Sequence, residues 1–117
     1  GKYSRPNSLI RLIKENPVVT TVAAKSTFNY ILHKDVGYFI ASAIRHKLRG
    51  IYNLASSENI TLYEAGELVN EFISNKDITY GEFVYETGSI DISETIATGG
   101  FAKKTSEEVI REFIKSL

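Results

Sequence analysis

Tyr30 and Lys34 stand at a spacing that could carry proton transfer, in the run Tyr-Ile-Leu-His-Lys. In a Tyr-x-x-x-Lys pair, the lysine ammonium lowers the pKa of the tyrosine hydroxyl, which then exchanges a proton with a substrate. This chemistry needs a helix, where residues four apart share a face. The surrounding run, Phe28 to Leu32, instead has the pattern of a β-strand. We therefore interpret the pair as structural and expect no catalytic residue in this chain.

His33 and Asp35 carry groups that bind metal ions. A zinc site needs three or four such ligands, and a third candidate is missing beside these two. The chain also has no cysteine. We interpret His33 as a partly exposed strand residue and Asp35 as the N-cap of the next helix, and we expect no metal site.

The elements that would position these residues are best defined in the segment 50–73. Ile51 to Ala55 is an apolar run that predicts a short strand covered on both faces. Thr61 and Glu64 form a capping box. Apolar residues at helical spacing follow it: Ala65, Leu68, Val69, Phe72 and Ile73. A strand that leads into a helix through a polar turn is half of a layered α/β unit.

The remaining pattern predicts four more helices and three more strands. The strands are expected at 18–23, 28–32 and 78–85, with Gly81 weakening the last or marking a bulge. The helices are expected to start at Asn7 or Ser8, at Asp35, at Asp91 with Glu94, and at Thr105 with Glu108. Gly50 is expected to end the helix that starts at Asp35, and Gly99 with Gly100 the helix that starts at Asp91. Phe101 is expected to fold back onto the helix that starts at Asp91. The order predicts a mixed α/β fold with at least one helical crossover.

The composition indicates a folded domain and excludes several classes of partner. The chain has 117 residues, 43% of them hydrophobic, which suits one domain or part of one. Its 14 basic and 14 acidic residues balance, which argues against nucleic acid as a partner. No apolar run approaches the roughly 20 residues of a membrane span. We expect a cytoplasmic protein and, because the chain has no Met, a piece of a longer one.

Three stretches resemble one protein family. Residues 28–46 and 50–69 are similar to the C-terminal half of extended short-chain dehydrogenases/reductases, the NAD-dependent epimerase/dehydratase group that acts mostly on nucleotide sugars. In that family an Asp-Val pair opens a helix, as at Asp35-Val36, and a later strand reads Tyr-Asn-hydrophobic-small, as at Tyr52 to Ala55. The tail, 91–114, resembles the family's ending, with a short helix, a Gly-Phe turn and a Thr-Ser-capped last helix.

The resemblance implies a parent protein of two parts. An N-terminal Rossmann half would bind NAD or NADP through a Gly-rich turn, and a Tyr-x-x-x-Lys helix would do the chemistry. This sequence contains neither, so residues 1–117 would be a single substrate-side, C-terminal unit of a Rossmann-like α/β protein. Such a unit would be inactive alone, would bind no cofactor itself and would contact a nucleotide-sugar-like molecule. The alternative is a free-standing α/β binding or assembly module with no enzymatic parent.

The resemblance also indicates where a substrate would bind. Many family members carry an Arg-Asp pair whose arginine grips the substrate phosphates, and this chain has Phe28-Asn29 there. Another cation, such as Arg5 or Arg11, would then have to serve. Arg5 and Asn7 begin the substrate lobe by resemblance. The candidate substrate-binding residues are Arg5, Asn7, Asn29 and His33.

A sheet that is cut from its parent exposes a strand edge and an apolar face. We therefore expect the isolated chain to form a homo-oligomer, by dimerising or by swapping elements.

Overall fold

A computed structural model describes residues 8–73 and 76–117. Within these ranges the chain forms five α-helices and four two-residue strands. The helices are α1 Ser8–Lys14, α2 His33–Arg45, α3 Leu62–Phe72, α4 Ser93–Ala97 and α5 Ser106–Lys115. The strands are β1 Val18–Val19, β2 Thr27–Phe28, β3 Ile60–Thr61 and β4 Ile78–Thr79. None of the helices in the described ranges is long and apolar enough to cross a bilayer.

The strands form two small pairs. β1 and β4 run parallel, with Val18 opposite Ile78, and a further parallel bridge joins Val22 to Phe83. β2 and β3 run antiparallel. A parallel pair needs a long connection between its strands, and here α2 and α3 lie between β1 and β4 in the chain. The predicted helical crossover is therefore present. β1, β2 and β4 are shorter than the strands predicted there, and β3 was not predicted.

The hydrophobic core lies where α1, α3 and α5 meet. Ala65, Val69 and Ile110 are completely buried there. The other buried members are Leu9, Leu12, Val18, Ile60, Leu62, Leu68 and Ile114. Removing these side chains from water is the main stabilising contribution to the fold. The apolar stripe predicted for α3 therefore supplies part of this core, together with residues of α1 and α5.

Two of the three predicted capping pairs, those at Thr61 and Thr105, are confirmed. The Thr61 hydroxyl accepts from the Glu64 N–H at 3.1 Å, and the Glu64 carboxylate accepts from the Thr61 N–H at 3.1 Å. Thr105 and Glu108 make the same two bonds at 3.1 and 3.2 Å. Each box pairs two N–H groups that a helix start would otherwise leave without partners. The boxes fix the starts of α3 and α5.

The predicted buried strand at 51–55 is wrong. Within the described chain these residues pair with no strand, and Ile51 is 94% exposed. Tyr52 does pack on Phe39 of α2, with ring centroids 5.6 Å apart, and Ala55 is buried. The apolar pattern suits a strand, but a strand also needs a neighbour for its backbone N–H and C=O groups.

The bounds of α2 also differ from the prediction. Leu32 takes the N-cap position and the helix begins at His33, so Asp35 lies in the first turn instead of capping it. Asp35 is buried and forms an ion pair with Lys104, at 3.0 Å. A buried carboxylate needs such a partner, which outweighs its preference for a cap. The helix ends at Arg45, before the predicted stop at Gly50.

The last part of the chain follows the prediction in part. α4 begins at Ser93 with Ile92 as N-cap, and the Asp91 carboxylate accepts from the Ser93 N–H at 2.9 Å in place of the predicted cap pair. Gly99 has a φ of 78°, which suits the turn after this helix. Phe101 is buried with its ring edge-on to Phe39 of α2, 6.3 Å between centroids. Phe101 is predicted to fold back onto α4, whereas the contact that its ring makes is with Phe39 of α2.

Gly81 stands at a close approach between two backbone segments. A Cβ atom built on it would lie 2.3 Å from the Thr21 carbonyl oxygen. The Gly81 N–H also donates to the Val22 carbonyl at 3.0 Å. β4 ends at Thr79, so the glycine does interrupt the predicted strand, and any side chain there would push the two segments apart.

Candidate functional site: a groove between α1 and α5

A groove of about 440 Å³ lies between α1 and α5. Leu9 and Ile10 of α1 and Val109 and Phe113 of α5 give it apolar walls, and the link 30–34 between β2 and α2 lies along it. Its polar lining residues are Tyr30, His33, Lys34, Glu112 and Ser116. Small-molecule sites have volumes of roughly 300–1,000 Å³, mostly apolar walls and a few polar groups. The groove has these properties.

Tyr30 is fixed in this groove by three hydrogen bonds. Its hydroxyl and that of Ser8 in α1 are 2.5 Å apart. Its N–H donates to the Ser106 hydroxyl at 3.2 Å, and its carbonyl accepts from the Ser56 hydroxyl. Burial raises the pKa of Tyr30, and the bond with Ser8 offsets this only in part. The Tyr30 hydroxyl therefore stays protonated at neutral pH.

Tyr30 and Lys34 have different partners in the structure. Tyr30 precedes α2, whereas Lys34 lies in its first turn, and the Lys34 ammonium is 3.1 Å from the Glu112 carboxylate. The hydroxyl of Tyr30 bonds to Ser8 instead. Its raised pKa is the reverse of what an acid–base tyrosine beside a lysine requires.

A chain of three ion pairs borders the groove. Beyond the Lys34–Glu112 pair, the Lys104 ammonium lies 3.2 Å from Glu112 and 3.0 Å from Asp35. Hydrogen bonds from Lys34, then from Lys104, lower the pKa of Glu112. Burial opposes the charge on Lys104, but its bonds to Asp35 and Glu112 outweigh burial and raise the pKa of Lys104. These pairs hold the start of α2 against α5.

The structure places His33 at the first position of α2, exposed and lining the groove. The prediction of a strand residue here is therefore wrong, while its exposure is as predicted. Among residues 8–73 and 76–117, no group of three or more histidine, aspartate or glutamate side chains could hold a metal ion.

Asn29 does not line the groove. Its side-chain amide donates to the Ser56 carbonyl at 3.0 Å and to the Asn59 side chain at 2.9 Å. Its side-chain oxygen accepts from the Ser56 N–H at 2.8 Å. Asn29 thus holds the turn at 56–59 against the end of β2, so the structure does not bring it together with His33.

The other predicted binding residues lie at or before the start of α1. Arg5 and Asn7 fall outside the described residues, and α1, which follows them, forms one wall of the groove. Arg11, the alternative cation, makes two hydrogen bonds to the Glu15 carboxylate at 3.1 and 3.2 Å and one to the Val19 carbonyl at 2.8 Å. Its guanidinium is therefore already engaged inside the chain.

Phe28 lies in a stack of three aromatic rings. Its centroid is 5.3 Å from that of Tyr85, with the planes 15° apart, and 6.2 Å from that of Tyr30, with the planes 29° apart. Such offset stacks stabilise beyond the apolar area they bury. Phe28 therefore lies between Tyr30, which lines the groove, and Tyr85 in the segment after β4.

Lys104 and Glu112 are not identifiable from the sequence as parts of a site. Lys104 and Asp35 are 69 positions apart, so no local spacing connects them. Glu112 lies on the polar side of an amphipathic helix, where a carboxylate is ordinary. Either residue could be identified as part of a site only if the packing of α2 against α5 were already known.

Comparison with known proteins gives matches at the level of structure. No protein-family profile matches the chain, and no curated protein sequence matches it significantly. The NAD complex of UDP-glucose 4-epimerase from Thermus thermophilus matches 92% of this chain with a TM-score of 0.69 and 23% identity. UDP-N-acetylglucosamine 4-epimerase from Methanobrevibacter ruminantium, in complex with UDP-N-acetylmuramic acid, matches 100% of this chain with a TM-score of 0.70 and 14% identity.

The match is unequal in length. It covers only 37% and 41% of those two epimerase chains, and 32% of a third protein, DdhaC, which matches 86% of this chain with a TM-score of 0.62 and 18% identity. Identities this low establish the fold alone. The chain therefore has the mixed α/β fold of one part of the UDP-sugar 4-epimerase structure. This confirms the fold class predicted from the sequence, which is that of the C-terminal part of a Rossmann-like protein.

Proposed function

We propose that this chain is the substrate-binding, C-terminal part of an NAD(P)-dependent enzyme that converts nucleotide sugars as an epimerase, dehydratase or reductase. The chain is proposed to be inactive alone and to work in the cytoplasm as part of its parent. The observation that supports this most strongly is the unequal match, which takes in almost all of this chain and about two fifths of each epimerase.

An unpartnered apolar surface supports the assignment to a larger parent. Ile40 and Ile44 lie one turn apart on α2 and are 52% and 74% exposed. The nearby segment 51–55 has a strand-like sequence without a neighbouring strand in the described chain. Exposed apolar surface of this kind marks an interaction site. We assign this surface, which we call the α2 face, to packing against the rest of the parent.

The proposed cofactor belongs to the part of the parent outside this chain. A dinucleotide site needs a strand, a Gly-x-Gly-x-x-Gly turn and a helix whose N-terminus meets the pyrophosphate. The sequence contains no such motif, and its adjacent glycines, Gly99 and Gly100, follow the end of a helix. The residues present therefore do not fit NAD or NADP, and no chemical step is assigned to this chain.

The groove is the proposed ligand site within this chain. His33 lines it, and Arg5 and Asn7 lie in sequence just before the helix that forms one of its walls. We assign these three residues to direct contact with a nucleotide-sugar-like molecule. Asn29 would act on the ligand indirectly, because it holds Ser56, whose hydroxyl donates to the carbonyl of Tyr30 in the groove.

Calorimetric titration with UDP-glucose tests this assignment. We expect UDP-glucose to bind the 117-residue chain. The affinity of a His33→Ala variant for UDP-glucose is expected to be about three- to tenfold lower, because one hydrogen bond to the ligand is lost. His46→Ala is the matched control, because His46 is exposed at the opposite end of α2. Mixing the chain with NAD and UDP-glucose is expected to give no turnover.

Two results would overturn the proposal. Turnover by the chain alone would show that its chemistry is not supplied from outside. Absence of binding to UDP-glucose, UDP-N-acetylglucosamine and other nucleotide sugars would favour the alternative of a binding or assembly module.

A further inference from the structure

A second surface beside the groove presents aromatic rings to solvent. Phe83 is 64% exposed and Tyr85 is 49% exposed, two residues apart in the segment that follows β4. In an extended segment, residues two apart point to the same side. Phe28, which stacks on Tyr85, completes what we call the aromatic surface.

The position of Tyr85 is fixed by the chain around it. Its N–H donates to the Ser26 hydroxyl at 2.9 Å, and its carbonyl accepts from the Thr27 N–H at 2.9 Å. Phe28 covers one face of the ring at 5.3 Å between centroids. A ring held in this way loses little conformational freedom when a ligand stacks on it.

The charges near this surface disfavour a phosphate as the ligand group. Glu82 and Glu86 flank the two rings in sequence and are exposed, although by the same alternation they point to the other side of the segment. Two carboxylates at this short separation in sequence still repel a phosphate, and Lys25 is the single cation of the facing segment 18–28. An uncharged sugar ring, whose C–H faces can pack on the aromatic rings, fits this combination.

We propose that Tyr85 and Phe83 bind the sugar ring of the nucleotide sugar, a proposal that rests on the function proposed above. The surface lies next to the groove, because Phe28 stacks on both Tyr85 and Tyr30 and Tyr30 lines the groove. A ligand that spans the two would place its charged part away from Glu82 and Glu86.

Calorimetry with two ligands tests this assignment. For Tyr85→Ala and for Phe83→Ala, we expect affinity for UDP-glucose to fall about three- to tenfold, the range of one aromatic contact. Affinity for UDP, which has no sugar ring beyond its ribose, is expected to stay unchanged in both variants. Tyr38→Ala is the control, because Tyr38 is 69% exposed but lies on α2. Phe83 is the more exposed residue, so its variant tests binding with little effect on folding.

The outcomes separate this proposal from the previous one. If the unaltered chain binds UDP-glucose but both variants bind it equally well, the aromatic surface has no role and the substrate-binding function stands. If UDP binding falls as much as UDP-glucose binding, the rings contact the nucleotide or support the fold, and the sugar assignment is overturned. If the unaltered chain binds neither ligand, both proposals are overturned.

Discussion

Single residues in this chain show where a local preference gives way to a distant contact. Asp35 has the sequence context of a helix cap, yet it lies buried against Lys104. Phe101 follows a glycine turn and reaches Phe39 of another helix. In both cases the local signal is correct that a helix lies nearby. The partner comes from a part of the chain that spacing rules cannot identify.

Gly81 gives a test at the residue scale. Replacing it with alanine would press a Cβ against the Thr21 backbone, which cannot rotate away as a side chain can. We expect Gly81→Ala to lower the free energy of unfolding by about 1–3 kcal/mol, the usual cost of overpacking. Urea denaturation followed by circular dichroism measures this.

Gly88 offers a matched control for that substitution. A Cβ built on Gly88 meets no atom within 4 Å. We expect Gly88→Ala to change the free energy of unfolding by less than about 0.5 kcal/mol. Equal effects of the two substitutions would contradict the close approach seen at Gly81.

At the scale of elements, the sequence predicts helix starts better than strands. The capping boxes of α3 and α5 each lie within four residues, so the sequence contains the whole signal. Strands depend on a partner elsewhere. The segment 51–55 has suitable residues but no neighbour in the described chain, and β1 and β4 pair over two residues only. The candidate site follows the same rule, because its groove requires that α1 and α5 meet.

The cap of α5 provides a test at this scale. Thr105→Ala removes the hydroxyl that accepts from the Glu108 N–H, so we expect a loss of about 1 kcal/mol in the free energy of unfolding. Thr105→Ser keeps a hydroxyl at the same place and is expected to stay close to the unaltered chain. Denaturant unfolding of both variants measures the difference. Equal losses would show that the cap bond does not stabilise α5.

The ion pairs between α2 and α5 predict a dependence of stability on pH. Lys34 and Lys104 hold the pKa of Glu112 below its ordinary value of 4.5 in the folded chain. A carboxylate with a lowered folded pKa contributes stability above its unfolded pKa and loses it as the pH falls through the folded value. We therefore expect stability to fall as the pH drops below about 4.5.

Replacing Glu112 with glutamine isolates this effect. Thermal unfolding at a series of pH values should show a smaller acid loss for Glu112→Gln than for the unaltered chain. Glu94→Gln, on the exposed side of α4 and outside this network, is expected to keep the original profile. An unchanged pH profile in Glu112→Gln would mean that the ion pairs do not contribute to stability.

The whole molecule is more extended than most domains of its length. Its radius of gyration is 15.6 Å, whereas a compact chain of this size has roughly 13 Å. One long helix, α2, keeps only Phe39 among its apolar side chains fully buried, and Ile40 and Ile44 remain exposed. Both features agree with the proposal that the chain normally packs against the rest of a larger protein.

Self-association tests the α2 face. We expect the isolated chain to dimerise at high concentration, because apolar surface left in water associates. Ile44→Lys should shift the chain toward monomer, while Leu117→Lys, at a 72% exposed position outside this face, should not. Light scattering over a range of concentrations measures both. A strictly monomeric unaltered chain would contradict this use of the face.

Sequencing the coding region upstream of the Gly1 codon would show whether the chemistry of the proposed parent is encoded there. We expect this region to encode a strand, a Gly-rich turn and a helix, followed by a Tyr-x-x-x-Lys pair on a later helix. A start codon immediately before Gly1, with no such region ahead of it, would show that the chain is not the C-terminal part of such an enzyme.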